Sequence, residues 1–190
     1  MSFERDRFLS DCQQAVVGTS PSLACRELVQ RAVSTPAEAL AGLGEPTQGG
    51  VQPLLVSDTL TVLNVVWAPR MTLMPHDHNM WAVIGVYSGR EDNIFWKRRE
   101  GSGGESIEAA AAKSLGPGEV CPLGRDIVHS VTNPTSRFTG AIHVYGGDFF
   151  ANERSEWDPE TLRERPYDVE KNMALFAEAN AQWGPSENAG

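Results

Sequence analysis

Short β-rich segments separated by turn residues fill the middle of the chain, and this pattern constrains the fold more than any other feature. They run over 52–56, 60–67, 81–87, 92–99, 106–114, 119–121, 126–132 and 138–145. Glycine, proline, asparagine and serine interrupt them at the spacing typical of an all-β sandwich or barrel. Strand patterns do not alternate with helical ones, which argues against Rossmann and TIM-barrel folds. The sequence therefore predicts a mainly β fold with a barrel over 51–150.

The strand predicted over 106–114 has the weakest local support. It contains Glu108 followed by four alanines. Both residue types have a higher propensity for helices than for strands. A strand here therefore requires that pairing with neighbouring strands override the local preference.

Helical patterns flank the β region on both sides. Apolar residues recur every three or four positions over 3–43, and Ser-Pro and Thr-Pro pairs there supply helix start signals. A second helical pattern covers 168–183 after an irregular stretch. At 190 residues the chain fits one domain. We therefore predict a single domain with a helical preface over 1–46, the barrel, and a C-terminal extension with one helix over 151–190.

Charge and cysteine content exclude several classes of protein. The net charge of −9 leaves no basic stripe to neutralise phosphates, so we expect no nucleic-acid partner. No apolar run reaches the roughly 18 residues of a membrane span, and the charged N-terminus does not resemble a signal peptide. Cys12, Cys25 and Cys121 are odd in number and form no CxxC pair, which argues against disulfides and a zinc ribbon. We expect a cytoplasmic protein without membrane contact.

Three histidines carry the strongest functional signal. His76 and His78 stand directly before the apolar segment 81–87, and alternate residues of a strand share one face. His129 lies within another predicted strand. Asp77, between the first two histidines, is expected by strand alternation to face outward and to make a turn or a supporting hydrogen bond. Neutral imidazoles suit zinc, copper, iron and nickel. Taken alone, each segment is explained equally well without a metal ion, either as a surface loop or as a hydrogen-bonded core histidine.

Two separated segments resemble the two motifs of the cupin superfamily. In the first, His76-x-His78 is followed by Gly89 at the motif's spacing. The second is Gly116-x5-Pro122-x-Gly124-x4-His129-x3-Asn133, two residues longer than usual before its histidine. The resemblance implies a cupin double-stranded β-helix, also called a jelly-roll barrel, which holds one metal ion.

The first motif departs from the common cupin pattern at its glutamate ligand. That position holds Ala82 or, counted one residue later, Val83, and neither side chain can bind metal. The resemblance thus implies a site made of His76, His78 and His129 without a carboxylate. Such a site is similar to that of the three-histidine thiol dioxygenases, the group of cysteine dioxygenase and 3-mercaptopropionate dioxygenase.

Three stretches look like the bacterial members of this group: 76–86, 129–134 and 141–146. The resemblance implies iron(II) as cofactor, a small thiol and dioxygen as partners, and a sulfinate as product, in a monomer or homo-oligomer. The group carries a Ser-x-His-x-Tyr relay beside the iron. His143 and Tyr145 match its last two members and are the implied catalytic residues, whereas Ala141 replaces the serine. Ordinary core packing of His143 and Tyr145 is the alternative.

The resemblance also suggests residues that bind a substrate carboxylate. Gln52 aligns with the glutamine of mercaptopropionate-type members, where cysteine-specific members carry an arginine. Arg154 lies at a plausible offset for the later arginine of the mercaptopropionate type, and a guanidinium can bind a carboxylate with two hydrogen bonds. A solvated loop charge paired with Glu153 or Glu156 is an equally good explanation of Arg154.

The sequence leaves three functions open. The first is an iron-dependent thiol dioxygenase acting on a small thiol such as 3-mercaptopropionate. The second is a three-histidine cupin that oxidises or cleaves a different ligand, for instance a β-diketone. The third is a non-catalytic cupin that binds a small molecule.

Overall fold

Helices lie at both ends of the molecule. The computed structural model describes residues 3–101 and 106–183. Its helices are α1 (Arg5–Val16), α2 (Pro21–Val33), α3 (Pro36–Leu43) and α4 (Val169–Trp183). These confirm the predicted N-terminal helices and the C-terminal helix, although the outermost parts of the predicted preface and extension, 1–2 and 184–190, lie outside the described residues. α2 and α3 each begin at a proline, where the missing N–H loses no helical hydrogen bond.

None of the helices in the described ranges combines the length and apolar character needed to cross a bilayer.

The strands form two antiparallel sheets, which confirms the mainly β fold. They are β1 (Gly50–Val56), β2 (Thr61–Trp67), β3 (Thr72–His76), β4 (Ala82–Ser88), β5 (Glu91–Arg98), β6 (Ile107–Leu115), β7 (Val120–Leu123), β8 (Val128–Thr132), β9 (Thr139–Tyr145), β10 (Ser155–Trp157) and β11 (Glu164–Pro166). One sheet has the order β1-β2-β9-β4-β7 and the other β11-β10-β3-β8-β5-β6.

Some strands owe their existence to pairing rather than to local pattern. β6 forms despite its alanines because β5 pairs with it over its whole length and because Ile107 and Leu115 bury its two ends. β3, β10 and β11 lie outside the predicted strands. β3 contains Pro75, which interrupts the strand pattern, and β10 and β11 are three residues each and have too little sequence to show a period.

The two sheets stay separate in the described part of the chain and do not join into a closed barrel. α4 and α2 contact the two edge strands of the first sheet, β1 and β7. Gly49, next to β1, exchanges hydrogen bonds of 2.6 and 2.8 Å with Asn180 of α4. Gln30 of α2 donates to the carbonyl of Gly118, just before β7, at 3.0 Å. Covering an edge in this way prevents further strand pairing.

The core has two layers. The inner faces of both sheets and Phe176 of α4 enclose the first layer. α1, α2 and α3 pack on the outer face of the first sheet and form the second layer. Gly85 of β4 permits this close contact, since a Cβ there would lie 2.4 Å from a methyl carbon of Val29. The interior strands β2 and β9 are consequently buried along their whole length and form one wall of the space between the sheets.

Candidate metal centre

The structure brings His76, His78 and His129 together between the sheets. His76 is the last residue of β3 and is the cross-strand partner of His129 on β8. His78 follows two residues later. All three are buried, with exposed fractions of 5%, 3% and 1%. The Nε2 atom of His78 lies 3.2 Å from that of His76 and 3.4 Å from that of His129. The three imidazoles thus form a group that could hold a metal ion.

Hydrogen bonds on the far side of the rings determine which nitrogen faces the centre. His76 Nδ1 lies 2.9 Å from the carbonyl oxygen of Met74, and His129 Nδ1 lies 2.8 Å from Oδ1 of Asn93. Both oxygens are acceptors, so both Nδ1 atoms carry hydrogen and donate. The Nε2 lone pairs of His76 and His129 therefore point toward the centre, where only a cation or a donor proton can satisfy them.

Burial keeps these imidazoles in the form that binds metal. It lowers the pKa of His76 to about 4. Burial, together with the charge of a neighbouring histidine, lowers the pKa of His78 and His129 well below the usual range. All three rings are consequently neutral near pH 7, with lone pairs available for a metal ion.

The nitrogen spacing suits a single metal ion. A metal–nitrogen distance of about 2.1 Å corresponds to nitrogens about 3.0 Å apart at a right angle and about 3.4 Å apart in a tetrahedron. The 3.2 and 3.4 Å separations here fall within that range. No acidic side chain belongs to the group among residues 3–101 and 106–183. The donor set therefore fits iron, zinc, copper or nickel, with positions left open for other ligands.

The histidines line one end of a cavity of about 90 Å³ between the sheets. His143, Tyr145, Arg154 and Tyr167 supply its other polar groups. Much of the remaining wall is apolar: Leu63, Val65, Leu73, Val131, Phe149 and Phe176. Apolar walls exclude water and strengthen every electrostatic interaction inside.

His143 and Tyr145, the predicted catalytic pair, both line this cavity from β9. The Tyr145 hydroxyl and His143 Nδ1 share a hydrogen bond of 2.9 Å. The Tyr145 ring meets the His78 ring edge-on, with 5.0 Å between their centroids. Burial raises the pKa of Tyr145, so its phenol keeps its proton at neutral pH. Tyr145 thus packs its ring against His78 and keeps a protonated hydroxyl among the residues that line the cavity.

Arg154 also reaches the cavity, although it lies in the stretch predicted to be irregular. Its guanidinium carbon sits 4.0 Å from the ring centroid of Phe149 and 4.3 Å from that of Tyr167. Among residues 3–101 and 106–183, no ion pair joins Arg154 to Glu153 or Glu156, and Glu156 instead accepts from Arg165 at 2.8 Å. The Nη1 atom of Arg154 is shielded from solvent and has no hydrogen-bond partner among the described residues.

An orphaned guanidinium nitrogen of this kind is costly to bury. The two rings that hold Arg154 in place present aromatic faces, which attract its charge but accept no ordinary hydrogen bond. Arg154 is therefore available to bind an anionic group inside the cavity.

The structure does not bring Gln52 to the site. Its neighbour Val51 lines the cavity, and strand alternation turns Gln52 to the opposite, exposed face of β1. There its side-chain oxygen accepts a hydrogen bond of 3.3 Å from Asn64. The predicted role of Gln52 in substrate binding has no support from this geometry.

Asp77 is buried, contrary to the expected outward position. Its carboxylate accepts a hydrogen bond of 2.9 Å from the backbone N–H of Ser155, and its own N–H donates to the carbonyl of Ser155 at 3.1 Å. Both bonds join the histidine segment to β10 next to Arg154. The predicted supporting hydrogen bond is thus present, and it holds the segment between His76 and His78 against the C-terminal extension.

Sequence reasoning misses Glu91 and Asn93, which lie behind the site. Glu91 is completely buried and accepts hydrogen bonds from Trp67 and Asn93. Asn93 in turn contacts the metal-ligand candidate His129. A signal exists in the sequence, because polar residues two apart at the start of a strand share one face. Only the pairing of β5 with β8 shows that this face is the buried one.

No protein-family model matches the chain. Comparison with solved structures finds an RmlC-like cupin family protein with a double-stranded β-helix fold from Methanocaldococcus jannaschii (TM-score 0.45, 10% identity, covering 55% of this chain and 84% of that one). It also finds the DMSP lyase DddQ from Ruegeria pomeroyi DSS-3 (TM-score 0.46, 18% identity, 60% and 53%). A third match is an uncharacterized protein with a double-stranded β-helix domain from Klebsiella pneumoniae (TM-score 0.45, 14% identity, 57% and 79%). At such identities the likeness concerns the chain path, and it carries nothing about ligands or activity.

Proposed function

We propose that the protein is a non-haem iron(II) thiol dioxygenase whose substrate is a small thiol with a carboxylate, such as 3-mercaptopropionate. The observation that carries the proposal is the combination, in one small cavity, of three neutral imidazoles, a buried phenol and an unpaired guanidinium. Thiolate and dioxygen combine to give the sulfinate. Sulfur loses four electrons, dioxygen gains four, and no external reductant is needed.

The metal site favours an anionic sulfur ligand. When bound, iron(II) would lower the pKa of the thiol and supply the redox chemistry that joins sulfur and oxygen. His76, His78 and His129 contribute no negative charge, so they leave the dipositive charge of the ion to attract a thiolate. Water is kept out by the apolar walls, which makes this attraction stronger than it would be in solution.

Two further residues would orient the substrate and the developing charge. Arg154 can bind the carboxylate through its free Nη1, with Phe149 and Tyr167 fixing the plane of the guanidinium. The Tyr145 hydroxyl, which bonds to His143 Nδ1 at 2.9 Å, can turn and donate its hydrogen to an oxygen as negative charge builds up on that oxygen. Pockets for drug-sized ligands measure roughly 300–1,000 Å³. The cavity of about 90 Å³ therefore restricts the substrate to a small molecule.

The proposal is tested by oxygen uptake of the iron-loaded protein with 3-mercaptopropionate, cysteine, cysteamine and the β-diketone acetylacetone. We expect one sulfinate for each dioxygen consumed, with the thiol acids preferred over cysteamine. Oxygen uptake with acetylacetone alone would contradict the proposal in favour of a different dioxygenase. If nothing in the panel is oxidised but one compound raises the melting temperature, a non-catalytic binding role is supported instead.

Replacing Arg154 with glutamine should weaken binding of thiol acids specifically. A hydrogen bond to a charged group contributes about 1.5–3 kcal/mol, so we expect KM for 3-mercaptopropionate to rise about 10- to 100-fold, with turnover of cysteamine unchanged. Steady-state oxygen uptake measures both. The control is Arg125→Gln, which removes an exposed arginine. An equal loss of kcat/KM with 3-mercaptopropionate and with cysteamine would show that Arg154 does not bind the carboxylate.

A further inference from the structure

Glu91 is a buried carboxylate that the proposed reaction does not use directly. Its side chain is fully enclosed at the start of β5. One oxygen accepts a hydrogen bond of 2.8 Å from Trp67 Nε1, and the other accepts one of 2.9 Å from Asn93 Nδ2. Burial of a carboxylate is unfavourable without such partners. The position of this charge behind a candidate metal centre therefore calls for a functional explanation.

Asn93 connects Glu91 to the metal centre. Its amide nitrogen donates to Glu91, which leaves its amide oxygen to accept from His129 Nδ1 at 2.8 Å. An amide can satisfy both neighbours in this orientation only. Glu91 thus fixes the orientation of Asn93, and Asn93 keeps the hydrogen of His129 on Nδ1.

A second connection leads to the phenol. His143 Nε2 is buried and has no partner within hydrogen-bond distance in the part of the chain that the structure describes, and it faces a carboxylate oxygen of Glu91 at 3.6 Å. The opposite ring nitrogen binds the Tyr145 hydroxyl at 2.9 Å. In the thiol dioxygenases that this chain resembles, a serine hydroxyl orients the corresponding histidine, and here Ala141 cannot do so.

We propose that Glu91 is a positioning residue that replaces the missing hydroxyl and holds both His143 and, through Asn93, the metal ligand His129. The hydrogen of His143 then lies on Nε2, where it faces the negative charge of Glu91 across 3.6 Å. The lone pair of His143 Nδ1 then faces the hydroxyl of Tyr145. One carboxylate thereby sets the orientation of a metal ligand and of the phenol relay. The effect of Glu91 on turnover rests on the proposed thiol dioxygenase function, whereas its effect on the orientation of the two imidazoles does not.

The charge state of Glu91 agrees with an acceptor role. Burial acts to raise its pKa, but interactions with His143, Asn93 and Trp67 outweigh burial and keep the pKa below its usual value. The ionised carboxylate can only accept hydrogen bonds. Trp67 Nε1 and Asn93 Nδ2 can only donate, so the neutral amide of Glu91→Gln would place its NH2 group against one of these two N–H groups. The orientation that opposes Trp67 also aims the NH2 group at His143 Nε2, because the same oxygen of Glu91 faces both.

The test is the nitrogen-15 NMR spectrum of the histidine rings in the apoprotein. The chain has 4 histidines, and comparison with His143→Gln assigns the signals of His143. We expect Nε2 of His143 to carry hydrogen in the wild type and in Glu91→Asp. In Glu91→Gln the hydrogen should move to Nδ1, because the glutamine amide then donates to Nε2. The control is Asp92→Asn on the same strand, whose carboxylate pairs with Arg90.

As a second readout, visible absorbance measures the binding of Co²⁺ to the apoprotein. Loss of a group that supports a metal ligand lowers affinity about 10- to 100-fold. We expect a loss of this size for Asn93→Ala and a smaller loss for Glu91→Gln, with Glu91→Asp close to wild type. Neither readout requires a thiol, so a failure of the thiol dioxygenase proposal would leave both results interpretable.

Two outcomes would overturn the role of Glu91. The first is a wild-type spectrum in which Nε2 of His143 carries no hydrogen, and this result is decisive even if Glu91→Gln does not fold. The second is a folded Glu91→Gln protein whose His143 tautomer and Co²⁺ affinity match those of the wild type. If the His143 tautomer changes in Glu91→Gln and returns to that of the wild type in Glu91→Asp, the positioning role of Glu91 is supported. A purely structural defect would not be corrected by restoring the negative charge.

Discussion

Replacement of His129 with alanine is expected to abolish tight metal binding and leave a folded protein. The substitution removes one of three nitrogen donors, and no nearby acidic side chain in the described residues can replace it. Loss of a group that merely supports a ligand weakens metal binding about 10- to 100-fold, so loss of a ligand should cost more than about 100-fold. Elemental analysis of anaerobically prepared protein after gel filtration measures the metal retained per chain.

The matched control for His129→Ala is His143→Gln. Both residues are buried histidines that line the same cavity from different sheets, but His143 bonds to Tyr145 and does not belong to the three-histidine group. We expect His143→Gln to retain metal at a stoichiometry close to that of the wild type. Thermal melting of both variants shows whether each is folded. Unchanged metal content in folded His129→Ala would refute the ligand assignment.

Replacement of Tyr145 with phenylalanine should lower turnover with 3-mercaptopropionate about 100- to 1,000-fold, the size of effect produced by loss of one preorganised hydrogen-bond donor. Only the hydroxyl is removed. The ring contacts with His78 and Phe149, whose centroids lie 5.0 and 4.4 Å away, do not depend on it. Iron content and KM should therefore change little while kcat falls. Oxygen uptake together with elemental analysis separates these effects.

Tyr87→Phe provides the matched control for this substitution. Tyr87 is also buried, but its hydroxyl donates to Asn64 at 2.8 Å and the residue packs in the layer beneath the helices. Its loss should affect stability and leave turnover per iron unchanged. The account of Tyr145 would be wrong if Tyr145→Phe kept wild-type turnover, or if its activity fell only in proportion to lost iron.

Features that depend on local pattern could be predicted from the sequence. β2, β4 and β9 are mostly apolar because both of their faces are buried, and α2 and α3 begin at prolines that mark helix starts. The histidines of the site also stand out, because two of them share one short segment and the third lies in a strand. The structure brings His76, His78 and His129 together as the motifs suggest.

Features that depend on pairing across the molecule could not be predicted. β10 is three residues long, and it is a strand only because it lies beside β3, where Glu156 pairs with His76. That pairing carries Arg154 to the cavity. Glu91 has no local feature that distinguishes a buried acceptor from a solvated charge. The role predicted for Gln52 rests on a family resemblance, which does not establish which face of a strand is buried. The alternation of β1 turns Gln52 away from the cavity.

The most direct test of the central claim is a crystal structure of the anaerobic, iron-loaded protein with anomalous data collected at the iron edge. We predict one iron per chain, bound by Nε2 of His76, His78 and His129 at about 2.1 Å, with no carboxylate among its protein ligands. An iron peak elsewhere in the molecule, or an acidic side chain in its coordination sphere, would contradict the three-histidine site and the chemistry proposed for it.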